Sequence, residues 1–236
     1  MTKTYPLIDG SGREMSIKLT MCDSGGREGV AANAYNFVRW LRDGKEWRDP
    51  SGAVGPVDEG EYKWVAGMVP RFQLVRGDST PRAPRAALTY PDSQRKDRHA
   101  GARGEIPVFQ LNSNLIKDQL NGMLDRTEAS GGRVSFPNWL PDWFYVELTV
   151  EVRDPAKGWL NPHNYRNESW DLLAYCVASG LTRQIGLEHI DWNDPPSWAA
   201  EWGKNDLVFD PGKQKAPFAN QVNTAYDFKS LADKLA

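Results

Sequence analysis

The chain has 236 residues, 40% of them hydrophobic and 25% charged, and a formal net charge of −2. That suits one sizeable α/β domain, or a domain plus a tail, and the near-neutral balance excludes neither nucleic acid nor small-molecule partners. No apolar run approaches the roughly 18 residues needed to span a bilayer, and the start, MTKTYPLIDG, lacks the apolar core of a signal peptide.

A soluble intracellular protein is therefore expected. Its two cysteines, Cys22 and Cys176, both fall in apolar runs. They are expected to be buried, reduced thiols rather than a disulfide framework.

In chain order, EMSIKLTMC (14–22) alternates loosely and predicts a strand ending at Asp23. The turn Ser24-Gly25-Gly26 follows. Asp23 has two readings: it caps the turn, or it stands at a strand tip because a negative charge is needed there. In GVAANAYNFVRWLRDG, residues Val30, Ala34, Phe37, Val38 and Leu41 recur at helical spacing, and Gly44 supplies the stop.

Residues 45–61 predict a loop. YKWVAGM and FQLVRG predict strands, and 78–104 a long polar loop without periodicity. IPVFQLN (106–112) predicts a strand, and NLIKDQLNGMLDR a helix with Leu115, Ile116, Leu120, Met123 and Leu124 on one face.

GGRVSFP predicts a short strand. DWFYVELTVEV (142–152) fits a strand by its β-branched content and a helix by its flanks. GWLN (158–161) predicts a short strand, and a helix runs from about Glu168 to Leu181. Strands alternating with helices indicate an α/β core with a partly parallel sheet. No G-x-x-x-x-G-K-[ST] phosphate loop is present.

From about Asp191 the texture changes to Trp, Pro, Asp and Asn without a period. This divides the chain into a domain over 1–190 and a Trp/Pro-rich C-terminal tail over 191–236. The tail either binds a partner or docks on its own domain. Trp192, Trp198 and Trp202 are its anchors, whereas Trp40, Trp64 and Trp170 fit core stripes.

Acidic residues gather at NYRNESWDLLAYCVASGL (164–181), where Trp170, Leu173, Ala174, Val177 and Leu181 form one helical stripe. Glu168 and Asp171, three residues apart, share a face beside it. One reading makes them first-turn acids complementing the helix dipole, with Asn167 as N-cap. The other takes them together with Asp23. A carboxylate ending an early strand plus one or two on a late helix can hold hard divalent cations, and a pair about 4 Å apart can drive phosphodiester cleavage.

Charge is uneven as well. Between Pro70 and Gly104, Arg71, Arg76, Arg82, Arg85, Arg95, Lys96, Arg98 and Arg103 face Asp78, Asp92 and Asp97, a local balance of +5 against −7 elsewhere. An Arg-rich loop on an acidic body suits phosphate contact through counterion release. A merely solvated loop is the alternative.

These residues carry a resemblance. CDSGG…NAYNFVRW (22–40) resembles the first nuclease motif of the lambda-type phage terminase large subunits, D-S-G-G followed by a helix with V-Y-D-F. RNESWDLLAYCVAS (166–179) resembles the last motif of that nuclease domain, and NSNLIKDQL (112–120) and SFP (135–137) fall between them in the family's order. The similarity spans roughly residues 15–182.

It implies an RNase H-like mixed sheet flanked by helices. The implied activity is a metal-dependent DNA endonuclease cutting concatemeric phage DNA during packaging, with Mg²⁺ or Mn²⁺ as cofactor and two ions at the site. Asp23 would be the first-strand ligand, and Asp171 and Glu168 the helix-borne acids. Where the family pattern places an aspartate, this chain has Asn114, with Asn112 before it and Lys117-Asp118 after. An amide oxygen ligates without charge, so Asn114 would hold a cation weakly; the other reading makes Asn112 and Asn114 turn and cap residues.

The implied partners are double-stranded DNA, a terminase ATPase domain expected ahead of residue 1, a small subunit and the capsid portal, with no membrane, in the host cytoplasm. The alternative is a catalytically weak RNase H-like clamp that grips DNA or docks on the portal.

Overall fold

The computed structural model describes residues 3–26, 29–43, 71–91, 106–127 and 132–213. The chain divides into two compact units, one formed by 1–73 with 189–236 and the other by 74–188.

In the first unit, β1 (Thr4–Pro6) pairs antiparallel with β2 (Glu14–Ser16), and β2 pairs antiparallel with the last strand, Val208–Phe209. Met15 faces Val208 in register, Glu14 faces Phe209, and the Ser16 N–H donates to the Leu207 carbonyl at 3.0 Å. Leu207 and Phe209 are buried with Tyr35 and Leu41 of this unit. Thus residues 205–209 of the predicted tail dock as part of the unit's core, while 214–236 lie outside the described residues.

Asn205 fixes the approach. Its Nδ2 donates to the Trp198 and Ala200 carbonyls at 2.8 and 3.0 Å, and its Oδ1 accepts from the Leu207 N–H at 2.9 Å. Lys18 lies over the Trp198 ring, 5.2 Å from its centroid.

The single strand predicted over 14–22 is two. β2 stops at Ser16, and β3 (Thr20–Asp23) begins after three intervening residues. After the Asp23 turn comes α1 (Val30–Asp43), whose Phe37 packs edge-on against Phe72 at 5.2 Å between centroids.

β4 (Phe72–Asp78) carries the chain into the second unit. There β6 (Val108–Asn112) runs parallel to β4 and antiparallel to β5 (Ala86–Thr89). β5 lies in the stretch predicted as loop. Its AALT is too short for period-2 alternation to declare itself, and pairing along β6 from Leu111 to Val108 makes it a strand. Val75 and Leu74 of β4 and Val108, Phe109 and Leu111 of β6 are buried, giving the near-continuous apolar runs expected of covered strands.

Two helices pack on one another next to this sheet: α2 (Ser113–Leu124), directly after β6, and α4 (Glu168–Ser179). A short helix, α3 (Asp142–Glu147), also packs on α4. Of the two readings of 142–152, the helix holds to Glu147; a turn then leads into β7 (Val152–Asp154), paired antiparallel with β8 (Gly158–Leu160). The strand predicted for GGRVSFP is absent over its described residues 132–137. The YKWVAGM strand lies outside the described residues, as do Trp64 and the Trp40 side chain.

The result is a mixed α/β protein with a parallel and antiparallel sheet flanked by helices, consistent with the expected nuclease fold. No helix among the described residues is long and apolar enough to cross a membrane. Neither cysteine is buried as expected: Cys22 and Cys176 are exposed residues on β3 and α4, and both are free thiols. Desolvation raises each thiol's pKa above the ordinary value, with Asp23 adding to the rise at Cys22.

Candidate functional site

α2 organises the site. Its N-cap is Asn112, whose buried Oδ1 accepts from the Leu115 N–H at 3.2 Å while its Nδ2 donates to the Ala83 carbonyl at 2.9 Å. Capping fixes the helix phase, and that phase differs from the predicted one. Leu115 points outward, 45% exposed, while Ile116, Lys117 and Leu120 form the buried stripe.

A lysine in a buried stripe requires partners, because an unpaired charge in an apolar setting is strongly unfavourable. Lys117 has them. Its ammonium lies 2.8 Å from both Oε1 and Oε2 of Glu151 and 2.7 Å from Oδ1 of Asp171. Asn167 ties the same carboxylates together, its Nδ2 donating to Glu151 Oε1 at 2.6 Å and to Asp171 Oδ2 at 3.2 Å. The Glu151 side chain is only 6% exposed, that of Asp171 36%. Two acids therefore converge on one cationic position, where the turn before β7 meets the first turns of α4.

Asn167 stands at the α4 N-cap position but makes no side-chain cap hydrogen bond, its amide being turned to the two carboxylates instead. The cap comes from 22 residues upstream. Buried Glu147, the last residue of α3, accepts from both the N–H and the hydroxyl of Ser169 at 2.8 and 2.7 Å, and pairs with Arg166 at 3.0 Å. The Ser169 hydroxyl first, the Ser169 N–H and then the Arg166 charge hold the Glu147 carboxyl below its ordinary pKa, outweighing burial.

On the neighbouring face of α2, Asn114 and Asp118 hold the β7–β8 hairpin. Asn114 Oδ1 accepts from the Trp159 N–H at 2.8 Å. Asp118 accepts from Arg153 Nε and Nη2 at 2.7 and 3.0 Å and from Trp159 Nε1 at 2.8 Å. The Arg153 hydrogen bond leads in pulling the Asp118 carboxyl below its usual pKa. Asn112 and Asn114 thus serve as cap and hairpin clamp.

Asp23 ends β3 in the first unit. Its Oδ1 accepts from the Gly25 N–H at 2.7 Å, closing the turn that Gly26 completes at φ +111°. Asp23 thus closes its own turn, at an exposed position. Glu168 is exposed too and makes no side-chain hydrogen bond or ion pair among the described residues, whereas Asp171 pairs with Lys117 and Asn167. No group of three or more His, Cys, Asp or Glu gathers in a metal-holding arrangement among the described residues.

The basic stretch is heterogeneous. Arg71 is 7% exposed in the first unit, a correction to its reading as a surface phosphate contact; burial lowers its pKa to about 10. Arg76 lies exposed on β4 beside an open cleft of about 350 Å³ whose walls include Asp78 and Gln110, themselves hydrogen-bonded at 2.6 Å. Arg82 is exposed, and Arg85 pairs with Glu188 at 2.6 Å. Arg95, Lys96, Arg98 and Arg103 lie outside the described residues.

Sequence reading missed Glu151 and the role of Lys117. The usable signal was a lysine interrupting the apolar stripe of a helix; nothing local pointed to Glu151, which sits where strand and helix readings overlapped.

The mixed α/β fold is consistent with a nuclease domain. The chain belongs to the family of the terminase large subunit gpA endonuclease domain, whose family model matches residues 1–192. It is thus a DNA-cutting domain of the phage packaging type. No curated protein and no solved structure matches the chain.

Proposed function

We propose that this chain is a divalent-metal-dependent endonuclease that cuts concatemeric phage DNA during genome packaging. One observation carries the reading: Glu151 and Asp171 present three carboxylate oxygens within 2.8 Å of a single cation, the Lys117 ammonium. Hard oxygen donors converging on positive charge are the donor set that Mg²⁺ or Mn²⁺ prefers.

Asp171 and Glu151 would hold the metal, with Glu168 available at the exposed start of α4; Asp23, at the end of β3 in the first unit, keeps the ligand role that its motif implies. A bound ion would supply Lewis acidity toward the scissile phosphate and activate water. The chain's own contribution is orientation. Asn167 and Lys117 set the two carboxylates, Glu147 locks the first turn of α4 that carries Asp171, and exposed Arg76 and Arg82 offer guanidinium forks to the DNA backbone. In the packaging machine, the expected partners are a terminase ATPase domain, a small subunit and the portal.

A second reading, a DNA clamp with little cutting, draws on Lys117 neutralising part of the acidic pair and on Asn114 being tied to the hairpin. Conversion of supercoiled plasmid to nicked and linear forms, with Mg²⁺, Mn²⁺ or EDTA, separates the two. Metal-dependent cutting lost in both Asp23→Asn and Asp171→Asn is expected. Wild-type protein that shifts DNA in a gel yet never cuts in either metal leaves the clamp.

A further inference from the structure

Lys117 raises a question that the nuclease reading leaves open. Its neighbours in the α2 stripe, Ile116 and Leu120, are 1% and 0% exposed, so a leucine or methionine at 117 would suit the packing better than a charge. The ammonium is retained where two carboxylates would otherwise face each other uncompensated, an arrangement that normally drives one of them to protonate or turn away.

We propose that Lys117 is a positioning residue, an internal cation that keeps Glu151 and Asp171 in a ligand-ready arrangement and that a divalent ion must displace. Its presence sets the site's metal affinity. This rests on the metal reading above and adds to it a built-in competitor.

Charge makes the competition concrete. The ammonium and two carboxylates sum to −1, whereas the pair without lysine is −2, and divalent affinity rises with the anionic charge of the ligand set. A lysine suits the part because its ammonium is a compact charge on a flexible four-carbon stem, able to withdraw without backbone movement. Asn167 suits it too: its Nδ2, 2.6 Å from Glu151 and 3.2 Å from Asp171, keeps both carboxylates tethered when the ammonium leaves.

The test is Mn²⁺ binding to the full chain, read by the electron paramagnetic resonance of the free ion, for wild type, Lys117→Met and Asp171→Asn. Lys117→Met should bind about ten-fold tighter or better, as removal of an opposing unit charge a few ångströms away requires. Asp171→Asn should bind more weakly. Equal or weaker binding by Lys117→Met overturns the proposal.

A second measurement needs no variant and covers a Lys117→Met chain that fails to fold. Amine footprinting of the wild type by mass spectrometry should find Lys117 protected without metal and modified at saturating Mn²⁺. Lys213, whose side chain is 82% exposed, should react equally in both conditions. Protection of Lys117 that survives saturating Mn²⁺ also overturns the proposal. Plasmid nicking run in parallel tells the failures apart: a wild type that nicks while Lys117 stays protected overturns only the displacement, whereas absence of both Mn²⁺ binding and nicking overturns the metal reading and this inference together.

Discussion

Lys117→Met also makes a demand on stability. The substitution keeps most of the stem's volume and removes the charge, leaving Glu151, 6% exposed, and Asp171, 36% exposed, without their cation. Removing one member of a buried ion pair costs about 3–5 kcal/mol, because the partner stays buried and uncompensated. Two features pull the value to the lower end. Asn167 still donates to Glu151 at 2.6 Å, and Asp171 is a third open to water.

A loss of about 3 kcal/mol is therefore expected, which at an m-value of about 1–3 kcal/mol per M lowers the urea midpoint by about 1–3 M. Glu151→Gln should cost less, since the ammonium keeps Asp171. The Lys117→Met/Glu151→Gln double variant should recover part of the sum, with a coupling of about 0.5–3 kcal/mol, as contacting charges show. The measurement is urea unfolding in metal-free buffer at pH 7 for all four chains. A loss for Lys117→Met below about 1 kcal/mol, the ceiling for solvent-exposed pairs, would refute the reasoning, since the trio would then be screened by water.

Three further outcomes are expected. The Glu147 carboxyl is held below its ordinary 4.5, so its contribution is complete above about pH 4.5 and is lost as the pH falls through the lower folded value. Urea midpoints of wild type and Glu147→Gln should accordingly converge below pH 4.5 and separate above it; a gap that widens on acidification would reverse the sign. Gly158 adopts φ +87°, and a Cβ there would collide with Asn114 Oδ1. Gly158→Ala should cost about 1–2 kcal/mol for the backbone alone and more for the displaced amide, with Asn114→Ala relieving only the second part in the double variant. Arg82→Ala should lower the slope of log binding constant against log salt for plasmid DNA by about 0.9 per lost phosphate contact, measured by fluorescence anisotropy. Buried Arg71, substituted the same way, should lower stability and leave that slope unchanged.

Legibility in the sequence followed the range of the interactions involved. α1, α2 and α4 announce themselves because an amphipathic stripe repeats within the helix, and their observed spans match the periodic stretches. β5 stayed hidden because four residues in an Arg- and Pro-rich stretch carry no pattern, and only β6 alongside makes them a strand. The join of Val208–Phe209 to β2 was hidden for a similar reason: the two lie nearly 200 residues apart in sequence, and nothing in either predicts the other. The 142–152 stretch read as both strand and helix because it becomes helix, turn and strand in turn, with Glu147 ending the helix in order to cap another.

The site shows the same limit where it matters for chemistry. Motif matching singled out Asp23, Glu168 and Asp171, residues whose neighbours in sequence mark them. It passed over Glu151, whose importance lies in meeting Lys117 across 34 residues, and it took Lys117 only as half of the Lys-acid pair of the middle motif. Physical reading of the helix could have gone further. Lys117 falls one residue after Ile116 and three before Leu120, so a helix that buries both must bury most of the lysine stem between them, and a buried ammonium demands a carboxylate.

Asp118 next to it satisfies no such demand, being turned to Arg153 and Trp159 on the other face. Only acids from another element remain, and the two that meet the ammonium are Glu151 and Asp171. A charge lodged in the apolar stripe of a helix therefore implies acids on whatever packs against that stripe. In this chain it leads from the least conspicuous member of a motif to the second carboxylate of the site.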